Sequence, residues 1–418
     1  MEHAVALMSE EPTEARPHRS LRILMVVDLP WDGRLGACRV CMELADQWRA
    51  LGHKVSHFSL SEAFPERRAS GGRFALQQLS FARKAAAFIR TNKESFDVID
   101  AAIGCLPYSR KALGFRGIVV ARSVGLYVLY ERFEQVTLSR WSRRSRGTIA
   151  GRFFYGFVRR SLMRGCDNSV RTADVINVPN ESEASCLRED LSLKGRIIVQ
   201  PYGLSDSYRH LVSQQVRSAE ERLAERRVCF IGMWSPRKGS YDWPRIIQAV
   251  RSQIPEVRFR FLGTMTDAKT VREDLGLLSE RGLEFVSHFK REDLLSLLAD
   301  CTVGAFPSYV EGFGLAVLEQ LAAGLPTVAY DIPGPRDILK KALPDLLVPC
   351  GDTEQFATKL CQVLGTSASD YKVLSKRSVE ATNPFSWETI ALNTLGEYEA
   401  LLDSSVATHI RQSRNSRH

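Results

Sequence analysis

Two consecutive α/β domains, each built on a doubly wound parallel sheet, are the architecture this sequence predicts, and three observations carry the prediction. The chain has 418 residues, more than one hydrophobic core ordinarily organises. Residues 21–60 run through a strand (ILMVV), a glycine-bearing loop (DLPWDGRLGA), a helix ending near Leu51 and a second strand (KVSHFSL), the β–loop–α–β opening of a nucleotide-type domain. A second βαβ series starts at VCFIG, after a stretch from Ser205 to Arg227 in which apolar content falls and charge rises.

The remaining elements follow from hydrophobic period and turn residues. In the first domain (21–205), a helix is expected about 75–92 and strands at DVIDAAI and GIVVARS. A long helical region about 126–170 follows, then a strand DVINVPN, a helix and a strand IIVQPY. Residues 206–226 read as a linker with a helical turn or two. The second domain (227–387) continues with a helix near 242–253, the strand RFRFLG, a helix, the strand EFVSHF and the helix LLSLLADC. A closing helix is expected over 388–405, and the polar ends 1–20 and 406–418 read as disordered tails. The first loop carries Gly33 and Gly36 but no third glycine at dinucleotide-fingerprint spacing.

Composition is that of a globular chain, with 44% apolar and 25% charged residues. No apolar run reaches the ~20 residues of a membrane span, and the first twenty residues lack the apolar core of a signal peptide. Nine scattered cysteines, odd in number, favour reduced thiols and a cytoplasmic location. Cys38 and Cys41 form a lone C-x-x-C on the inner face of one helix, without a second pair for a metal. The net charge of +9 points to an anionic partner, and its excess is concentrated. Between Leu138 and Cys166 stand eight arginines and no acid, interleaved with Trp141, Phe153, Phe154, Tyr155 and Phe157. That stretch suits an anionic membrane surface, nucleic acid or a solvated helix face. With no nucleic-acid motif beside it, the inner face of a cytoplasmic membrane is the favoured partner and nucleic acid is not expected.

The most informative segment is FPSYVEGFGLAVLEQLAAGLPTVA, residues 306–329. The apolar run Cys301 to Phe306 reads as a buried strand, and Leu315, Leu318 and Ala322 as one face of a helix, so Glu311, Gly312, Phe313 and Gly314 lie in the loop between them. The glycines let backbone approach a ligand, and the helix start offers free N–H groups to an anion. Glu319 lies eight residues past Glu311, about 12 Å along a helix. Two carboxylates so separated cannot share a proton transfer but can hold the two ends of a nucleotide sugar. Gly324 and Pro326 end the helix.

The pattern P-S-x-x-E-G-F-G-L-x-x-x-E followed by A-x-G-x-P-x-V-A resembles the signature of the retaining glycosyltransferases of sequence family 4, which have the GT-B fold, and the likeness extends over nearly the whole folded chain. The resemblance implies two Rossmann-like domains facing each other across a cleft, with the closing helix crossing back to the first. It places Glu311 against the donor sugar, the backbone of Gly312, Phe313, Gly314 and Leu315 at sugar hydroxyls and diphosphate, and Glu319 at the ribose. It also carries diphosphate binding onto Lys238, in the loop GMWSPRKGS, and onto Gly36 of the first loop. A fixed cation there suits a leaving group that gains negative charge. His288 and Phe289 fall where relatives border the nucleobase.

Two departures stand out. The family usually has an arginine after the glycine at 232, where this chain has Met233 and where Arg237 is the candidate substitute. Many relatives have a histidine at the position of Val124, which leaves Arg122 and Ser123 as acceptor-side candidates. No D-x-D pair occurs, and with lysine, arginine and helix-end amides available neither a metal nor another cofactor is expected. The activity so implied is transfer of a sugar, with retained configuration, from a nucleoside-diphosphate donor to a glycan or lipid-linked acceptor in cell-surface polysaccharide or glycolipid synthesis. The alternatives are a non-catalytic nucleotide-sugar-binding protein and a nucleotide-sugar epimerase of the same fold.

Overall fold

The computed structural model describes residues 20–33, 35–65, 72–141, 149–213, 217–276 and 281–415. Two six-stranded sheets organise the chain. The first contains β1 (Arg22–Val26), β2 (Lys54–Phe58), β3 (Val98–Ala102), β4 (Ile118–Arg122), β5 (Val175–Val178) and β6 (Arg196–Val199) in the order β2-β1-β3-β4-β5-β6. The second contains β7 (Arg227–Ile231), β8 (Arg258–Leu262), β9 (Leu283–Val286), β10 (Val303–Phe306), β11 (Thr327–Tyr330) and β12 (Leu347–Val348) in the order β12-β11-β10-β7-β8-β9. Every pairing is parallel. The near-continuous apolar runs of β3, β4 and β10, fully buried, are what a sheet covered on both faces demands.

Strand order reverses between β1 and β3 in the first sheet and between β7 and β10 in the second. A doubly wound sheet opens a crevice at the carboxyl ends of its strands at that point, because successive crossovers leave on opposite faces. The loops after β7 and β10 therefore converge on one spot.

Helix α1 (Gly36–Ala50) buries Cys38, Val40, Cys41, Leu44, Ala45 and Trp48 along one face. Burial pushes the Cys38 thiol up to about 11 and the Cys41 thiol up to about 12, so neither ionises readily near neutrality. The helical region expected about 126–170 is two helices, α2 (Tyr127–Trp141) and α3 (Ile149–Thr172), and residues 142–148 lie outside the described residues. A short helix α4 (Glu181–Ser185) follows β5, and α5 (Leu315–Ala322) follows β10. Within 206–226, helices Asp206–Ser213 and Ala219–Glu225 are docked rather than loose: Arg209 donates to the carbonyls of Thr382 and Phe385, and Arg222 to that of Ala323.

The last helix, α6 (Trp387–Asn415), packs on α1 and reaches β3 and β4. Trp48 Nε1 donates to Ala391 O at 3.1 Å, and Tyr398 Oη donates to Asp100 Oδ2 at 2.6 Å. The helix also corrects an expectation. Residues 406–415, read from their polar composition as disordered, continue α6 without interruption, and of the expected tails only 1–19 and 416–418 lie outside the described residues.

Candidate donor site between the two domains

Lys238 and Glu311 meet at the switch point of the second sheet. Lys238 follows β7 in a single 3-10 turn, Pro236–Lys238, and Glu311 follows β10. Their side chains pair at 2.5 Å, with Lys238 Nζ also lying 4.8 Å over the Phe306 ring. Burial opposes the charge on Lys238 more than Glu311 favours it, so the pKa of the ammonium is lowered. Packing between the two loops is close enough to demand glycine: Gly239 has φ +78, and a Cβ there would sit 2.2 Å from Pro307 O. Arg237 is part of the same cluster, with Nη1 3.3 Å from Val310 O and 3.7 Å from Glu311 Oε1. Its guanidinium lies 5.0 Å over the ring of Tyr130, which α2 brings from the other domain. Met233, where the family arginine is missing, is 46% exposed and contributes no charge.

Gly314 adopts φ +95 and starts α5 without a side-chain cap, so the first N–H groups of that helix, beginning at Leu315, have no side chain closing them off. The Phe313 side chain does not face a ligand. It is 2% exposed and packs between Tyr202, at 5.6 Å, and Phe385, at 5.4 Å, so only its backbone can serve the site. Gly312 touches the first domain: a Cβ there would lie 3.0 Å from Val124 O and 3.1 Å from Gly125 N. Asn180 fixes this contact by donating from Nδ2 to Gly312 O at 2.7 Å, while its Oδ1 caps α4 by accepting from Glu183 N.

Glu319, 3% exposed on α5, is paired from the opposite domain, with Arg39 Nη1 of α1 at 2.6 Å from its Oε1. Gly36 begins the same helix as Arg39, and nothing lies within 4 Å of a Cβ added to it. Arg39, Tyr130 and Asn180 were not legible as site residues, because their partners lie 280, 107 and 132 positions away in the chain. The one local signal was the position of Arg39 in the first turn after the Gly36 loop.

Two expectations fail. Arg122 is not on the acceptor side: it is 1% exposed, donates to both Asp100 oxygens and, at 3.0 Å, to Tyr398 Oη, and so anchors α6 to the first sheet. Ser123 is also committed, since its Oγ donates to Glu183 Oε2 at 2.5 Å and its carbonyl accepts from Tyr202 Oη at 2.6 Å. Glu183 accepts from Leu126 N as well, yet burial dominates and pushes its carboxyl up to about 7. Val124 itself is half-buried. His288 is exposed, and Phe289 packs against Gly263 at the carboxyl end of β8, where a Cβ would meet its ring at 3.1 Å. No group of three or more His, Cys, Asp or Glu side chains that could hold a metal ion occurs among the described residues.

Fold and switch-point site together define the GT-B class. Among solved structures, sucrose-phosphate synthase from Thermosynechococcus elongatus superposes with a TM-score of 0.69 over 92% of this chain and 100% of its own, at 18% identity. HepE from Anabaena, in complex with UDP and glucose, gives 0.60 over 91% and 99% at 17% identity. Residues 225–366, within the second domain, match the family described as Glycosyl transferases group 1. Among curated relatives, D-inositol 3-phosphate glycosyltransferase of Mycobacteroides abscessus is 29% identical over 184 residues, 42% of this chain and 40% of the relative. MMP alpha-(1->4)-mannosyltransferase of Mycolicibacterium hassiacum is 24% identical over 336 residues, 77% of this chain and 74% of the relative. The first of these alignments thus spans less than half of the relative's length.

Proposed function

We propose that this protein is a retaining glycosyltransferase that moves a sugar from a nucleoside-diphosphate donor to an acceptor hydroxyl. The observation that carries the reading is the Lys238–Glu311 pair at the switch point, with Glu319, eight residues past Glu311 in the chain, on α5. In this reading the acceptor oxygen forms its bond to the anomeric carbon on the face from which the diphosphate departs. The bond between that carbon and the phosphate oxygen breaks, and the departing oxygen takes the acceptor's proton. Lys238 holds the charge that develops on the diphosphate, with Arg237 beside it, and Glu311 positions the sugar and stabilises oxocarbenium character. Glu319 takes the ribose hydroxyls. The side chains and the free start of α5 supply enough positive potential for the diphosphate without a metal or another cofactor.

The names of the relatives, an inositol-phosphate glycosyltransferase and a mannosyltransferase, support transfer of a sugar to a hydroxyl-bearing acceptor; the reading extends this to a glycan or lipid-linked acceptor in cell-surface glycan synthesis. HepE, seen with UDP and glucose, supports a nucleotide-sugar donor. A membrane-facing acceptor also suits α3. Phe153 and Phe157, 77% and 67% exposed, share a face with exposed Arg160 and Arg164 at helical spacing. Among the described residues no helix is long and apolar enough to cross a membrane, so the association proposed is peripheral, on the inner face of the cytoplasmic membrane. Flotation with anionic liposomes should fall when Arg159, Arg160 and Arg164 become glutamine, and unchanged flotation would remove this part of the reading.

A second reading, a non-catalytic nucleotide-sugar-binding protein, is favoured by Val124 and Met233, neither of which can serve as the family's histidine or arginine does. Turnover separates the two. Lys238→Ala and Glu311→Ala should each lower nucleotide release from the sugar donor by about 100-fold or more in protein that still folds, with a lowered melting temperature because the partner charge is left buried. Wild-type protein that binds a donor and never releases nucleotide, whatever acceptor is supplied, would favour the second reading.

A further inference from the structure

Buried polar atoms in a folded protein nearly always have hydrogen-bond partners, so a cluster of orphans in a cleft points to a missing ligand. Such a cluster surrounds Glu319. Arg39 Nε and Nη2 and the Tyr208 hydroxyl are all buried without hydrogen-bond partners among the described residues. Glu43 Oε1 lies 4.0 Å from Arg39 Nε, beyond hydrogen-bond reach. The Tyr208 ring, 5% exposed, lies under Arg291 at 5.3 Å, and Arg291 in turn bonds Glu43 across the domain boundary. Arg39 uses only one of its nitrogens, Nη1, on Glu319 Oε1. Burial opposes its charge, but Glu319 and Glu43 outweigh that cost and the guanidinium stays ionised.

We infer that Arg39 and Glu319 form a single ribose-recognition unit shared between the two domains. Arg39 fixes the carboxylate through Nη1, which leaves the other Glu319 oxygen to accept from a ribose hydroxyl. Nε and Nη2 donate to oxygens of the same nucleotide. A planar guanidinium suits the task because its donors point in fixed directions, so one edge holds the acid while the other meets the ligand. Selectivity for ribose over deoxyribose then depends on a residue outside the domain that carries the donor loop, and only the apposed domains possess it. The inference rests on the proposed nucleotide-sugar activity and on the ribose role of Glu319.

The test is titration calorimetry on the full chain with UDP, GDP and ADP, and with the 2′-deoxy and 3′-deoxy forms of whichever binds. Wild type should prefer the ribonucleotide by about tenfold or more, as loss of a charge-assisted hydrogen bond implies. Arg39→Gln should remove most of that preference, weakening the ribonucleotide about tenfold and the deoxy forms less than about threefold, with Arg39→Lys intermediate. Arg39→Gln leaves Glu319 buried without its cation, so Arg39→Gln/Glu319→Gln is made alongside to restore charge balance, and it should bind no more weakly than Glu319→Gln alone. An unchanged ratio in Arg39→Gln overturns the inference, since Arg39 would then only hold the domains together. Tighter binding of every nucleotide also overturns it, because the ion pair would be competing with the ligand. Failure of the underlying reading looks different: wild type would bind none of the three nucleotides, or Glu319→Gln would retain the full ratio, and the inference would fall with it.

Discussion

Lys238 stands between two opposing effects, burial that disfavours its charge and a carboxylate 2.5 Å away that favours it, and burial prevails. Its charge is present at low pH and is lost as pH rises through a pKa below the ordinary lysine range. Diphosphate binding by the free protein should therefore weaken on the alkaline side earlier than an exposed lysine would allow. Lys238→Arg, which stays charged, should remove that limb, and a binding profile identical in both proteins would contradict the assignment. Glu183 gives a second test of pH dependence. Its carboxyl, ordinarily near 4.5, is raised to about 7 by burial, so the folded state binds the proton more tightly than the unfolded chain does. The stabilisation is complete below about 4.5 and is lost as pH rises through about 7, a change on the order of a few kcal/mol. Glu183→Gln should flatten the melting temperature between pH 5 and 8, and a wild-type slope in that variant would rule the mechanism out. Glu311 and Glu319 were legible in the sequence because glycine spacing and the flanking strands fixed their places, whereas Lys238 was named through the family resemblance. Arg122 was misread because its partners, Asp100 and Tyr398, stand 22 and 276 positions away, and no local pattern announces a buried ion pair.

Among the elements, the loops after β7 and β10 depend on glycine where backbones touch. Gly239→Ala would place a methyl group 2.2 Å from Pro307 O at φ +78, so it should both destabilise the protein by about 2–4 kcal/mol and weaken nucleotide binding. Gly312→Ala is a different case. Its φ is not in the left-handed region, and the added carbon would meet Val124 O and Gly125 of the other domain at 3.0–3.1 Å. Turnover should fall while the denaturant midpoint moves little, and a large loss of stability with normal turnover would contradict that. The parallel strands were readable from their apolar runs. The end of α6 was not, because RQSRNSRH carries no apolar stripe to distinguish a continuing helix from a tail.

Across the whole molecule, residues from both domains meet at the loops after β7 and β10 and at α5: Arg39 with Glu319, Tyr130 with Arg237, Asn180 with Gly312. The paired domains were predictable from two βαβ series, but which residues would meet was not, since apposition is set by the packing of α1, α6 and the docked 206–226 segment. In the proposed reading this junction breaks the bond between the sugar and the diphosphate of a nucleotide sugar. The most direct measurement is nucleotide release by wild type, Lys238→Ala and Glu319→Ala from UDP-, GDP- and ADP-sugars, with and without a membrane extract as acceptor source. Release from one donor class, stimulated by acceptor and lost in both variants, is the predicted result. Equal release by wild type and Lys238→Ala, or no release from any donor under either condition, would contradict it.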